Sequence, residues 1–199
     1  MKSPLTSFAV WQSRSPNWLQ SIENIDNQPI SPATDGAETL RLFHTGMPEQ
    51  GIGEEALNRL PDVMRLSRAQ NGRFFGYVLG SGEPVAAAGD LLASVLNQNV
   101  TAWRSGPAPV MIEQTAVGWL AQAIGCPEFR GHLTGGGSSA NLMGLAMARE
   151  LKVPANEKGV APGGVVYASD EIHMSIPKSV AVLGIGRDNL RLIATQPSA

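Results

Sequence analysis

The 199-residue sequence contains one cysteine and few charged residues, and each scarcity excludes a class of protein. Because Cys126 has no second cysteine to pair with, an internal disulfide framework is excluded and a reducing, cytoplasmic setting is expected. Charged residues make up 16% of the chain, against roughly 25% in soluble proteins on average. This low charge predicts that much of the surface is covered by a partner chain or by further sequence.

The sequence also lacks a basic cluster, a secretory signal and a long hydrophobic run. Its formal net charge is −2, from 15 basic and 17 acidic residues, so a nucleic-acid-binding surface is not expected. Charge-free stretches such as 91–103 and 114–127 are interrupted by polar residues and fall short of the roughly 20 apolar residues that a membrane span needs. The three histidines are widely separated and show no metal-ligand spacing. We therefore expect a soluble protein without a metal site.

Apolar periodicity and Pro/Gly punctuation divide the chain into two parts. We predict an N-terminal arm with helices over residues 1–70 and an α/β domain over residues 71–199. From residue 131 the predicted order of strand, helix, strand, helix, strand indicates a mostly parallel sheet flanked by helices. The predicted helices are 54–70, 91–96, 111–124 (stopped by Gly125), 138–151 and 175–183, and the predicted strands are 131–134, 165–168 and 190–194.

The most informative motif is the run of small residues from Gly135 to Ser139, which precedes a predicted helix. Glycines allow close approach to a ligand, and the helix start presents unpaired N–H groups and the positive end of its dipole, which suit a phosphate. No lysine follows, so a P-loop is excluded. Gly135, Gly137 and Ala140 match the loose dinucleotide fingerprint, but no acidic residue follows at the expected distance of about 20 residues. A phosphate site, a nucleotide site and a simple turn all remain open.

His173 lies four residues after Ser169, beyond the predicted strand at 165–168. Because ligands bind at the carboxyl ends of parallel strands, we expect the loops 134–139 and 169–173 to lie close together. An imidazole there could lie flat on a planar ring or move a proton, and a purely structural histidine is the alternative. The run Ser169-Asp170-Glu171 is expected to cap the helix that follows it.

Four sequence blocks together point to one family. The first is the aromatic run RFFGY at 73–77, and the second is NQN at 97–99 together with Trp103 and the segment 107–113. The third is GGGSSANLMGLAMARE at 135–150, and the fourth is YASDEIHMS at 167–175. From about residue 35 onward the chain resembles the amino-terminal portion of the group II pyridoxal-phosphate-dependent amino-acid decarboxylases, which include the aromatic-L-amino-acid and glutamate decarboxylases.

The resemblance implies a partial aspartate-aminotransferase-like (type I) α/β fold, pyridoxal 5′-phosphate as the cofactor, an amino-acid substrate and a homodimer. Gly136, Gly137 and Ser138 match positions that bind the cofactor phosphate. His173 matches the histidine that stacks on the cofactor ring, and Tyr77 matches an aromatic wall of the substrate pocket. In the family, the cofactor ring accepts the electrons left behind when CO₂ departs.

The chain departs from the family pattern at two places. Asn71 and Gly72 stand where the aromatic motif usually has His-Pro, and the sequence ends at Ala199, before the family's ring-nitrogen aspartate and its cofactor-holding lysine. None of the four lysines is expected to substitute, and Lys178 is expected on an exposed helix face. We therefore expect a fragment, a truncated gene or half of a split carboxy-lyase, inactive without a complementing C-terminal chain. A non-catalytic dimerising remnant and a nucleotide-binding α/β protein are the alternatives.

Overall fold

The computed structural model describes residue 13, residues 24–80 and residues 82–195. The chain forms two compact units, Met1–Asn97 and Gln98–Ala199. Residues 1–12 and 14–23 of the predicted arm lie outside the described residues. The division predicted between residues 70 and 71, into an arm and an α/β domain, stays a prediction.

The first unit is helical in its described part. The predicted single helix at 54–70 is wrong, because Pro61 has no N–H to donate and fits only in the first turn of a helix. A 3₁₀ segment therefore precedes a short α-helix that begins one residue before Pro61. The elements are two 3₁₀ segments, Ile25–Asn27 and Gly53–Arg59, and three helices, α1 (Gly36–Phe43), α2 (Leu60–Leu66) and α3 (Pro84–Leu96).

Asn71 connects two segments of this unit through side-chain hydrogen bonds. Its side chain is 4% exposed, and its amide donates to the carbonyl oxygens of Ile25 at 2.9 Å and Gln28 at 3.3 Å. Its Oδ1 accepts from the backbone N–H of Arg73 at 3.1 Å. The residue that departs from the family's motif therefore fastens the turn at 71–73 to the segment at 25–28.

The second unit has the predicted α/β class. Strands β1 (Val166–Ser169) and β2 (Leu190–Ile193) are parallel and in register from Val166 opposite Leu190 to Ser169 opposite Ile193. A helix and a 3₁₀ turn lie between them in sequence. The predicted strand at 131–134 is wrong: Leu133 donates its backbone N–H to the Glu113 carboxylate at 2.9 Å instead of to a strand. The helices are α4 (Pro107–Ala123), α5 (Gly137–Lys152) and α6 (Ser175–Val182), with a 3₁₀ turn at Arg187–Asn189.

Two glycines end helices of this unit in the same way. Gly125 (φ 79°) follows α4, and the N–H of Cys126 returns to the Ala121 carbonyl at 2.8 Å. Gly184 (φ 72°) follows α6, and the N–H of Ile185 returns to the Val180 carbonyl at 3.1 Å. Both are Schellman closures, which need a left-handed residue that glycine adopts without strain. The predicted stop of α4 at Gly125 is confirmed.

The best-buried part of the second unit lies where α5 packs against α6. Val180 of α6 is fully buried, and Ser175 and Ser179 on the same helix are 4% and 5% exposed. Many large apolar side chains of this unit remain exposed, among them Trp119 and Ile124 on or just after α4. Among the described residues, no helix is long and apolar enough to cross a membrane.

Candidate functional site

The start of α5 forms an open anion-binding geometry. Gly136 is its N-cap, with φ 139° and ψ 171°, a conformation that side chains essentially forbid. The first helical bond runs from the Ala140 N–H to the Gly136 carbonyl at 3.0 Å, and no side chain caps the N–H groups ahead of it. A Cβ added at Gly135, Gly136 or Gly137 would meet no other atom within 4 Å, so the turn is accessible. Its uncapped N–H groups and the helix dipole fit a phosphate.

His173 is held at the start of α6 by hydrogen bonds to its Nδ1. The Ser175 hydroxyl lies 2.9 Å from Nδ1, and the Ser175 backbone N–H donates to Nδ1 at 3.2 Å. The Asn141 side chain of α5 donates to the Ser175 hydroxyl at 2.8 Å. A chain of hydrogen bonds therefore connects the first turns of both helices with the imidazole.

Ser138 and Ser139, which follow the three glycines, line one cavity of about 250 Å³ together with His173. The expectation that the two loops lie close together is confirmed, although the first of them does not follow a strand. Two larger cavities, of about 480 and 800 Å³, contain none of the predicted site residues in their walls. The smaller cavity is lined by Ser138, Ser139, Leu142, His173, Ser175, Lys178, Ser179 and Val182.

Asp170 does not cap α6, so that prediction is wrong. The helix begins at Ser175 after Met174, without a side-chain cap. Asp170 instead accepts from the Thr195 hydroxyl at 2.8 Å and from the Thr195 backbone N–H at 3.0 Å. Both hydrogen bonds stabilise the charged carboxylate and hold the pKa of Asp170 below its usual value. The bond from the Thr195 hydroxyl has the larger effect.

Lys178 is exposed, as predicted, and it also lines the cavity that contains Ser138 and His173. The sequence did not predict this position for it. The other described lysines, Lys152 and Lys158, do not line this cavity. A primary amine therefore lies beside the candidate cofactor site, on the helix that follows His173.

Tyr77, the predicted substrate residue, belongs to the first unit. Its backbone is left-handed (φ 61°), which is unusual for a bulky residue, and the residue is 75% exposed. The Phe74 ring lies 5.8 Å away between centroids, and a Cβ at Gly76 would come within 2.9 Å of it. A side chain at position 76 would therefore require the Phe74 ring to move. The role of Tyr77 stays a prediction.

Sequence reasoning missed Asn141 and gave Ser175 no role. Asn141 lies three residues after Ser138, and that spacing places two residues on one face of a helix. Ser175 closes the YASDEIHMS block two residues after His173. Helical spacing and motif membership were therefore the available signals, but the bond between the two side chains spans 34 positions and no local pattern predicts it.

A family model and curated relatives match most of the chain. The family model described as the pyridoxal-dependent decarboxylase conserved domain matches residues 57–199. The aromatic-L-amino-acid decarboxylase of Bacillus atrophaeus is 28% identical over 181 residues, covering 89% of this chain and 37% of that protein. The human cysteine sulfinic acid decarboxylase is 27% identical over 172 residues, covering 84% of this chain and 35% of that protein. The chain thus spans little more than a third of the length of these relatives.

Solved structures share the fold. Mouse CSAD superposes with a TM-score of 0.83 at 23% identity, over 98% of this chain and 42% of that chain. Oryza sativa TDC with PLP and tryptamine superposes with a TM-score of 0.79 at 22% identity, over 98% of this chain and 45% of that chain. The fold is therefore the type I fold of these enzymes, present in part. Together with the match over residues 57–199, this shows that the chain belongs to the pyridoxal-dependent decarboxylase family, whose cofactor is pyridoxal phosphate.

Proposed function

We propose that this chain provides the phosphate-binding turn and the ring-stacking histidine of an amino-acid decarboxylase that uses pyridoxal phosphate. The observation that carries the proposal is the shared cavity: Ser138, at the start of α5, and His173, ahead of α6, line the same space of about 250 Å³. Family membership identifies pyridoxal phosphate as the cofactor. In the cavity, Ser138 would lie near the phosphate of this cofactor and the His173 imidazole near its ring.

The residues of the glycine turn would bind the phosphate. Gly136 leaves the turn without a side-chain cap, so the N–H groups of Gly137 and Ser138 are available to the phosphate oxygens. The Ser138 hydroxyl lines the same cavity and would add a charge-assisted hydrogen bond. The open space above the glycines allows the phosphate to approach the backbone closely.

His173 would orient the cofactor ring and hold a proton beside it. Its Nδ1 is occupied by Ser175, which fixes the imidazole relative to α6. When bound, pyridoxal phosphate supplies an electron-accepting ring for the loss of CO₂ from an amino acid. Tyr77 is proposed to contact the substrate, as the matching aromatic motif implies.

We further propose that the chain is inactive alone and works with a second chain, either a copy of itself or a complementing C-terminal chain. The relatives are about two and a half times as long, since the 181 matched residues cover 37% of the Bacillus atrophaeus enzyme. The exposed side chains of Trp119 and Ile124 and the 16% charge content support a surface that a partner covers. A lysine supplied by a complementing C-terminal chain would hold the cofactor.

The test is cofactor binding by the 199-residue chain, measured by equilibrium dialysis. We expect pyridoxal phosphate to bind, pyridoxal without its phosphate to bind much more weakly, and inorganic phosphate to compete. Equal binding of pyridoxal and pyridoxal phosphate would contradict a phosphate site. Tight binding of NAD with no binding of pyridoxal phosphate would instead favour the dinucleotide alternative.

Borohydride reduction tests the missing lysine. With pyridoxal phosphate present, we expect no stoichiometric adduct on any lysine of this chain and no release of CO₂ from amino acids. Lys178 is the residue to examine, because it lines the cavity. A specific adduct on Lys178 that the Lys178→Arg variant abolishes, while a Lys158→Arg control retains it, would show that the chain holds its own cofactor covalently.

A further inference from the structure

We propose that Ser175 and Asn141 are positioning residues that hold the neutral His173 ring in the tautomer with its proton on Nε2. The inference rests on the proposed function, in which His173 lies against the cofactor ring. It adds which nitrogen of the imidazole carries the proton there, and which side chains decide this.

The first step concerns the backbone of Ser175. Its N–H donates to Nδ1 of His173 at 3.2 Å. A backbone N–H can only donate, so Nδ1 must offer its lone pair. In a neutral imidazole one nitrogen accepts and the other carries the proton. An accepting Nδ1 therefore places the proton of His173 on Nε2.

The second step concerns the direction of the side-chain hydrogen bonds. The Asn141 amide donates to the Ser175 hydroxyl oxygen at 2.8 Å, so this oxygen is already an acceptor. Because Nδ1 of His173 already accepts from the Ser175 backbone N–H, it carries no hydrogen, and the Ser175 hydroxyl hydrogen donates to it across 2.9 Å. Ser175 is 4% exposed, so water has little access to replace either partner. Asn141 thus supports the same polarity, because its donated hydrogen bond keeps the Ser175 oxygen an acceptor on the side of α5.

The consequence lies at the other ring nitrogen. Within the described residues, both hydrogen bonds to the His173 ring use Nδ1, which leaves Nε2 outside the network. A ring protonated on Nε2 offers a donor at that atom and no lone pair. His173 in this form gives a hydrogen bond or a proton to a neighbouring group, and it does not act there as a base.

Nitrogen NMR of the full chain, labelled with ¹⁵N-histidine and free of cofactor, reads this tautomer directly. Long-range proton–nitrogen correlations distinguish a protonated ring nitrogen from an unprotonated one, and a His173→Gln variant identifies the signals. We expect a single neutral tautomer for His173, unprotonated at Nδ1. The exposed His44 serves as the reference ring, for which we expect an averaged pattern. A His173 ring protonated at Nδ1, or averaged like His44, would overturn the proposal.

The variant Asn141→Asp tests the polarity argument with almost no change in size. An aspartate can only accept, so it would take the Ser175 hydroxyl hydrogen and turn the oxygen lone pairs toward Nδ1. We expect the Nδ1-protonated tautomer of His173 to become populated. Asn156→Asp adds the same charge at an exposed residue whose Oδ1 already accepts from Arg149, and it should leave the His173 signals unchanged.

Ser175→Ala provides a second test of the tautomer if the Asn141→Asp variant does not fold. It removes one of the two donors to Nδ1, and it should shift His173 toward an averaged pattern. Unchanged His173 signals in both folded variants would show that neither side chain acts on the ring. Because these spectra need no cofactor, their failure is distinct from a failure of pyridoxal phosphate to bind.

Discussion

The Asn141 amide donates to the Ser175 hydroxyl across 2.8 Å, and this bond joins the first turn of α5 to the first turn of α6. The glycine turn precedes Asn141 and His173 precedes Ser175, so one side-chain bond brings the two most informative sequence motifs into a common cavity. Each motif alone is compatible with a structural role. Their shared cavity supports a cofactor site.

Ser138→Ala should weaken the binding of pyridoxal phosphate. A hydrogen bond to a charged group is worth roughly 1.5–3 kcal/mol, so the dissociation constant should rise about ten- to a hundredfold. Equilibrium dialysis of the variant chain measures the change. Ser94→Ala, at an exposed position of α3, is the matched control and should bind as the unchanged chain does. An unaltered affinity in the Ser138 variant would remove its hydroxyl from the site.

The elements that sequence patterns predicted well are those fixed by local chemistry. Helix α4 ends before Gly125 as predicted, because glycine adopts the left-handed closing conformation. Its start at Pro107 lies four residues before the predicted start at 111, because proline fits a first helical turn. The strands β1 and β2 were predicted to within one residue, because short apolar runs rich in branched side chains favour extended backbone.

The failed predictions depend on distant partners. Leu133 satisfies its N–H with Glu113, twenty residues earlier, and Asp170 bonds to Thr195, twenty-five residues later. No local pattern encodes either hydrogen bond. The loop at 131–134 was therefore predicted as a strand, and Asp170, which binds Thr195 just after β2, was predicted as part of a helix cap. Pro61 was a readable signal, since its ring ends any helix that would continue through it, and the prediction of one helix at 54–70 overlooked it.

Gly136→Ala should destabilise the second unit through its backbone. The added Cβ meets no atom within 4 Å, so the penalty comes from φ 139°, a region of strain that costs on the order of 1–3 kcal/mol. Urea unfolding measures the change in the free energy of unfolding. Gly137→Ala adds the same methyl group to the first residue of α5, and it should be neutral or stabilise by about 0.4–1 kcal/mol. Equal effects of the two variants would contradict the strained N-cap.

Val180→Ala should cost roughly 1.5–3 kcal/mol of unfolding free energy, because this side chain is fully buried and its loss leaves a void between α5 and α6. Val182→Ala is a matched control on the same helix. Its side chain is 74% exposed, so the change should stay within about 0.5 kcal/mol. Chemical denaturation of the two variants measures the difference. If both variants lost the same stability, α6 would not be buried along the face that holds Val180.

The Asp170 carboxylate should make part of the chain's stability depend on pH. Its bonds to the Thr195 hydroxyl and N–H lower the pKa in the folded state below the ordinary value of 3.8. A lowered folded pKa means that the contribution is complete above the unfolded pKa and is lost as the pH falls through the folded one. Asp170→Ala should therefore lower the urea midpoint at about pH 6 and have a smaller effect below about pH 3. Glu171→Ala removes the neighbouring exposed carboxylate and is the control. A deficit in the Asp170 variant that stays constant across this range would show that the carboxylate charge is not what binds Thr195.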